Sequence, residues 1–376
     1  MAFTPFAMER WQSTWENRVR YNLSESGVHP LTAAELLSLA GDAADDVLGR
    51  RLGYPQSNGT EPLRAAIAAL YPGAGVDHVL VTSGSAEANY INCWRLLEPG
   101  AKVAIVVPTY MQTWGLARNF GALVREIRLR EELGWQPEPR EIDAAITPDT
   151  RLVIVTNPNN PSGALLAPEL AERIARRAEA AGAWLLADEV YQGAERAGGP
   201  PTPSFWGRSE RVIVVNGLSK AYGLPGLRLG WCVAAPAHIA ELWARKDYTT
   251  IGPTVMSDAL ATLALQPAVR PRVLERTRQI LRTNWAVMDE WLKSRDGEFA
   301  YRAPEAGAIV WARYRTPAGS SALAETLRVE HDVLIVPGDQ FGMDGYIRLG
   351  FGLPADELRH ALEHVGRAFG RKDRAA

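Results

Sequence analysis

Between residues 78 and 235 the chain alternates short, unbroken apolar runs with longer stretches whose apolar positions recur at helical spacing. The runs are HVLVT (78–82), KVAIVVP (102–108), RLVIVTN (151–157), AWLLADE (183–189), RVIVVNG (211–217) and GWCVAA (230–235). They are rich in Val, Ile and Leu and do not alternate with polar residues, the pattern of strands buried on both faces of a parallel sheet. Ser85–Leu97 and Pro168–Ala181, which lie between them, read as helices. This alternation predicts an α/β domain, a large and mostly parallel sheet sandwiched by helices. From about Pro271 the pattern changes. A long helical stretch (RVLERTRQILRTNWAVMDEWLKSR) leads to a hairpin-like FAYRAPEAGAIVWARY. A helix (SSALAETLRVEH), two short strands (DVLIVPG and GYIRLGF) and a last helix (ADELRHALEHVGRAF) complete a smaller α+β domain. The expected division is an N-terminal segment, 1–40, that joins the small domain, a large domain, 41–270, and a linking helix with the small domain, 271–376.

Composition narrows the function. Of 376 residues, 47% are hydrophobic and 22% charged, which excludes wholesale disorder. Lys and Arg total 41 against 43 Asp and Glu, so the net charge is −2 and no basic excess exists to hold a nucleic acid. No apolar run approaches the roughly 18 residues of a membrane helix. The first twenty residues have neither the basic head nor the apolar stretch of a secretion signal, so the expected location is cytoplasmic. Cys93 and Cys232 cannot build a disulfide framework and have no metal-ligand spacing. Only five lysines occur (Lys102, Lys220, Lys246, Lys293 and Lys372), so lysine chemistry has few candidates. The 12 Trp are read as packing and interface residues.

In such a sheet ligands bind at the carboxyl ends of the strands, which here finish in polar, glycine-rich sequence. Lys220, in SKAYGLPGLRLG after the run at 211–217, stands at a strand-to-loop junction; burial there lowers a lysine's pKa and makes it a Schiff-base nucleophile. The other four lysines read as surface residues. Asp188 closes the run at 183–189 and needs a cationic or donor partner once buried, with Tyr191 three residues on. NPNNPSG (157–163) is a stiff loop that can present amide donors and equally suits a plain turn. TSGSAEA (82–88) opens a helix with small residues, a place suited to a phosphate. Tyr110 follows the run at 102–108, where its ring either stacks on a flat ligand or simply packs.

Taken in order, these elements resemble the class I/II aminotransferases of the pyridoxal-phosphate (PLP) fold type I superfamily over nearly the whole chain. The resemblance rests on Tyr54-(x)4-Gly59-(x)3-Leu63-Arg64, TSGSAEA, Pro108-Thr109-Tyr110, NPNNPSG, DEVY, SKAYGLPGLRLG and Arg348 in YIRLG. It implies that Lys220 forms the Schiff base with PLP and then moves the substrate Cα proton. Asp188 would keep the pyridine nitrogen protonated, Asn160 and Tyr191 would bond the ring O3′, and Tyr110 would stack on the ring. Arg228, Ser219, Ser85 and Ala86 would hold the phosphate. Tyr54 would reach a neighbouring subunit's phosphate, which implies a homodimer with shared sites. Arg348 would clamp the substrate α-carboxylate, assisted by Asn160, and Gly27 lies on the segment that covers the substrate. The implied reaction moves an amino group from an L-amino acid to a 2-oxo acid in two halves, with movement of the small domain around Arg348 governing water access.

The substrate side chain is left open. Trp15, Arg18, Arg20, Glu25 and His29 are candidate selectors on the N-terminal cover; a carboxylate such as Glu16 or Glu25 would meet a cation, and Arg18 or Arg20 an acid. His29 and His331 are considered as added acid–base groups. Asn22–His29 together with SKAYGLPGLR is locally similar to the capreomycidine synthases, superfamily members that cyclise a hydroxylated arginine instead. A non-catalytic ligand-sensing role is disfavoured because Lys220, Asp188 and Arg228 are all intact.

Overall fold

The protein's structure, a computed structural model, describes residues 3–41 and 44–369; Lys372 lies outside the described residues. Eight strands form the central sheet, in the spatial order Val79–Thr82, Gly230–Val233, Val212–Gly217, Trp184–Asp188, Thr150–Thr156, Lys102–Val107, Leu123–Arg130 and Gln136–Pro137. The five from Val212–Gly217 to Leu123–Arg130 are parallel to one another. All six apolar runs are strands of this sheet, and helices such as Gly84–Leu96 and Pro168–Ala180 join them. The mostly parallel α/β architecture expected from the pattern is therefore present.

Two details differ from the sequence reading. Gly230–Val233 runs antiparallel to both neighbours. Its four residues are all buried, and burial on two faces specifies an apolar strand without specifying its direction. Leu123–Arg130 was not expected as a strand at all. Its sequence, LVREIRLR, buries only Ile127 and Leu129, because its sole further partner is the two-residue strand Gln136–Pro137. An outer strand that is half exposed carries charges and reads as polar.

The second sheet contains Phe299–Tyr301, Ile309–Tyr314, Tyr346–Gly350 and Val336–Pro337, all antiparallel, with the helix Arg270–Ser294 leading into it. The N-terminal segment is stitched to this part of the chain. Tyr21–Asn22 pairs in parallel with Val333–Leu334, and the Gly350 N–H donates to the Leu23 carbonyl at 2.6 Å. A Cβ at Gly350 would lie 2.2 Å from the Glu25 carbonyl oxygen, and one at Gly352 would lie 2.0 Å from that of Gly27. Only glycine lets residues 23–27 lie this close over the strand that carries Arg348. Among the described residues no helix is long and apolar enough to cross a membrane.

Candidate active site

The carboxyl ends of the parallel strands open into a cavity of about 400 Å³ that is closed on the far side by the N-terminal segment and by Arg348. At one end the helix Gly84–Leu96 points its first turn at the cavity, with Ser85 and Ala86 in the lining. Gly84 has φ +76°, and a Cβ there would stand 2.9 Å from Nη2 of Arg228. Arg228 itself takes φ 46°, a left-handed conformation rare outside glycine, and its Nη1 donates to the Pro225 carbonyl at 3.2 Å. A Cβ at Gly230 would fall 2.5 Å from the Ser85 nitrogen. These glycines let a guanidinium sit beside a helix N-terminus, and free N–H groups, dipole and cation together suit a phosphate.

Asp188 ends its strand opposite Thr156 and is 5% exposed. Asn89 Nδ2 donates to one carboxylate oxygen at 3.1 Å and the Val190 N–H to the other at 3.2 Å. Burial outweighs these donors and pushes its pKa up to about 6. A carboxylate so placed gains from a protonated ring nitrogen. The Tyr191 hydroxyl donates to Ser26 Oγ at 2.8 Å, and that of Tyr110 donates to Glu9 at 3.1 Å, while the Tyr110 ring meets Phe6 edge-on.

Arg348 is 1% exposed. Its Nη1 donates to Asn160 Oδ1 at 2.8 Å and its Nη2 to the Ser24 carbonyl, while the buried Nε has no partner among the described residues. Because a guanidinium only donates, the bond fixes the Asn160 amide with its oxygen toward Arg348, which leaves the NH2 as a donor.

Lys220 lies 3.4 Å from Glu25 Oε2. Burial draws its ammonium toward the neutral form, but Glu25 and then Tyr191 outweigh it, and the pKa stands above the ordinary lysine value. The depressed value expected from sequence is thus corrected. Its cause, Glu25, is 195 residues away along the chain and has no motif to announce it. A Cβ at Gly27 would come 3.6 Å from Lys220 Cδ, so this cover residue lies beside the lysine without itself lining the cavity.

The cavity thus gathers Lys220, Asp188, Tyr191, Ser85, Ala86, Tyr110, Asn160, Ser219, Arg228 and Arg348. Tyr54 is apart from it and 95% exposed. Of the selector candidates, Glu16 and Glu25 line the cavity. Trp15 instead packs under Arg328 and Arg18, Arg20 lies over Tyr21, and His29 Nδ1 meets the Gly352 carbonyl at 3.0 Å. His331 is not in the lining either. Lys246, expected on the surface, is fully buried at the end of Pro236–Lys246, donating to Thr250 Oγ1 at 3.2 Å and to the Ile251 carbonyl at 2.7 Å. The sequence reading missed Glu9 and Gln12, which also line the cavity; their i, i+3 and i+7 spacing with Glu16 was the available signal.

The sequence profile of the class I and II aminotransferases matches residues 32–365. Capreomycidine synthase of Streptomyces vinaceus is 34% identical over 372 residues, covering 96% of this chain and 93% of that protein. Arginine–pyruvate transaminase of Pseudomonas aeruginosa is 32% identical over 335 residues, covering 86% and 84%. The crystal structure of a PLP-dependent aminotransferase from Streptococcus suis superposes with a TM-score of 0.92 at 32% identity, each chain covered completely. The architecture is that of the fold type I PLP enzymes. The chain belongs to the class I and II aminotransferase family, whose cofactor is PLP.

Proposed function

We propose that the protein is a PLP-dependent aminotransferase that takes the amino group of an L-amino acid and passes it to a 2-oxo acid. The observation that carries this reading is the convergence of Lys220, Asp188 and Arg348 on one cavity. Arg228, Ser219 and the first-turn N–H groups of Ser85 and Ala86 hold the phosphate. Asp188 holds the proton on the ring nitrogen, Asn160 and Tyr191 donate to the ring oxygen, and Tyr110 covers the ring. Bound there, PLP supplies an electron sink that makes the substrate Cα proton acidic. Lys220 anchors the cofactor and then, as the free amine, takes the proton from Cα and returns it. Arg348 receives the α-carboxylate in a fork that lysine cannot copy. The N-terminal segment and Arg348 form one wall of this space and narrow its access to water. Tyr54, exposed near the likewise exposed Leu48 and Leu52 in sequence, supports a homodimer in which it reaches the partner's phosphate.

A second reading, elimination and cyclisation of a hydroxylated arginine, is favoured by the likeness to capreomycidine synthase along 96% of this chain. One experiment separates the two. Holoenzyme is given single amino acids, 3-hydroxyarginine among them, without any 2-oxo acid. Amino transfer releases one 2-oxo acid per site and stops, with the nitrogen retained on the cofactor. Continued consumption without a 2-oxo acid product overturns transfer, and a cyclic product from 3-hydroxyarginine supports the second reading.

A further inference from the structure

The wall that the N-terminal segment turns to the cavity is acidic. Glu9, Gln12 and Glu16 share one face of the helix Ala7–Trp15 and its end, and all three line the cavity. Glu25 joins them from the stretch laid over Tyr346–Gly350. The charged residues of the lining are Glu9, Glu16, Glu25 and Asp188 against Lys220, Arg228 and Arg348.

With cofactor and amino acid in place, the functional reading above engages every one of those cations. Arg228 meets the phosphate, Arg348 meets the α-carboxylate, and Lys220 is bonded to the cofactor instead of being held by Glu25. Asp188 is matched by the ring nitrogen. Glu9, Glu16 and Glu25 then have no lysine or arginine of the lining opposite them, although they are near enough to act on one another. Burial, then Glu25 and then Glu9, raise the Glu16 pKa. The Lys220 ammonium, the foremost influence on Glu25, holds that carboxyl below the usual range. In this structure, then, Glu25 already binds a cation that it must release.

We propose that the substrate is an amino acid whose side chain ends in a cation, a guanidinium or an ammonium, and that Glu16 and Glu25 select it, with Glu9 fixed beside them by the Tyr110 hydroxyl. The proposal rests on the reading of Lys220 and Arg348 given above and adds the substrate class, whichever of the two reactions follows. Like charges that are unpaired in a partly closed cavity repel, and a ligand cation removes that repulsion where a neutral isostere does not.

Arginine and citrulline are the discriminating pair, alike in shape and different in charge. Holoenzyme is first treated with borohydride, which fixes PLP on Lys220 and stops turnover, and then titrated calorimetrically with arginine, lysine, citrulline and alanine. Arginine or lysine should bind more than about tenfold more tightly than citrulline, and the ratio should collapse toward one in Glu16→Gln/Glu25→Gln. Equal binding of arginine, lysine and citrulline by the wild-type protein overturns the proposal without needing any variant. A cationic preference undiminished in the double variant overturns the assignment to Glu16 and Glu25. Failure of borohydride to fix the cofactor, or of every amino acid to bind, instead refutes the site reading beneath the proposal, and the proposal falls with it.

Discussion

Arg348 donates to Asn160 Oδ1 at 2.8 Å, joining an inner strand of the smaller sheet to the loop that follows Thr150–Thr156. Its other terminal nitrogen is bound to the Ser24 carbonyl, so the guanidinium is held from two sides while Nε stays unpaired. A lysine cannot serve both fixed acceptors and a carboxylate from one nitrogen. In Arg348→Lys the KM for the amino acid should rise by roughly tenfold or more, the cost of leaving charge-assisted bonds unmade. Cofactor content should stay unchanged, measured as PLP released per chain in alkali. Loss of PLP from the variant would show that Arg348 serves the cofactor and not the substrate.

Lys220 lies beside Gly27 and is paired with Glu25. If it is the lysine that bonds PLP, borohydride reduction must leave a stable cofactor adduct on the peptide that contains it. Lys220→Ala should yield no adduct on any peptide while still binding PLP reversibly. Mass spectrometry of the digest reads the outcome directly, and an adduct on another of the five lysines sinks the assignment.

Two glycines separate backbone strain from a clash at the phosphate end. Gly84 and Gly73 have nearly the same φ, +76° and +78°, but a Cβ at Gly84 meets Arg228 Nη2 at 2.9 Å whereas one at Gly73 meets nothing within 4 Å. Each alanine substitution should cost about 1 kcal/mol of folding stability for its left-handed backbone. Only Gly84→Ala should also weaken PLP, by about tenfold, because it displaces the guanidinium beside the helix N-terminus. Fluorescence titration of apo protein with PLP tests this. Equal PLP affinity in both variants would falsify the placing of Arg228 on the phosphate.

The central sheet and the cofactor end were legible because their signals are local. An unbroken apolar run such as VIVVNG needs no knowledge of the rest of the chain, and Lys220, Asp188 and Arg228 each follow such a run within a short motif. Leu123–Arg130 escaped because its exposure depends on which strand is outermost, a property of the whole sheet. Glu9, and the pairing of the selector candidate Glu25 with Lys220, escaped for a related reason. The surroundings of Glu25 and Glu9 are Lys220 and Tyr110, brought to them by the folding-back of the N-terminal segment, and a glutamate among polar residues reads as solvated surface. Lys246 is the converse case. Its burial is made possible by a hydroxyl and a carbonyl four and five residues further on, in a turn that composition does not reveal.

Glu189, next to Asp188, makes stability depend on pH. It is 1% exposed; Oε1 accepts from the Phe205 N–H at 2.7 Å and from Ser204 Oγ at 3.0 Å, while Oε2 has no partner among the described residues. Burial, the largest influence, pushes its pKa up to about 8 from the ordinary 4.5. The native state therefore keeps this proton when the unfolded chain has already released it. The resulting stabilisation is complete below about pH 4.5 and is lost as pH rises through about 8. Glutamine retains the shape and cannot ionise. Its own hydrogen bonds add an offset that is the same at every pH, so the slope carries the information. Between pH 5 and pH 8.5 the Tm of Glu189→Gln should therefore gain steadily on that of the wild-type protein. A difference in Tm that stays constant across this range would mean that Glu189 ionises alike in the folded and unfolded chains, and that its buried oxygen has a partner in solution.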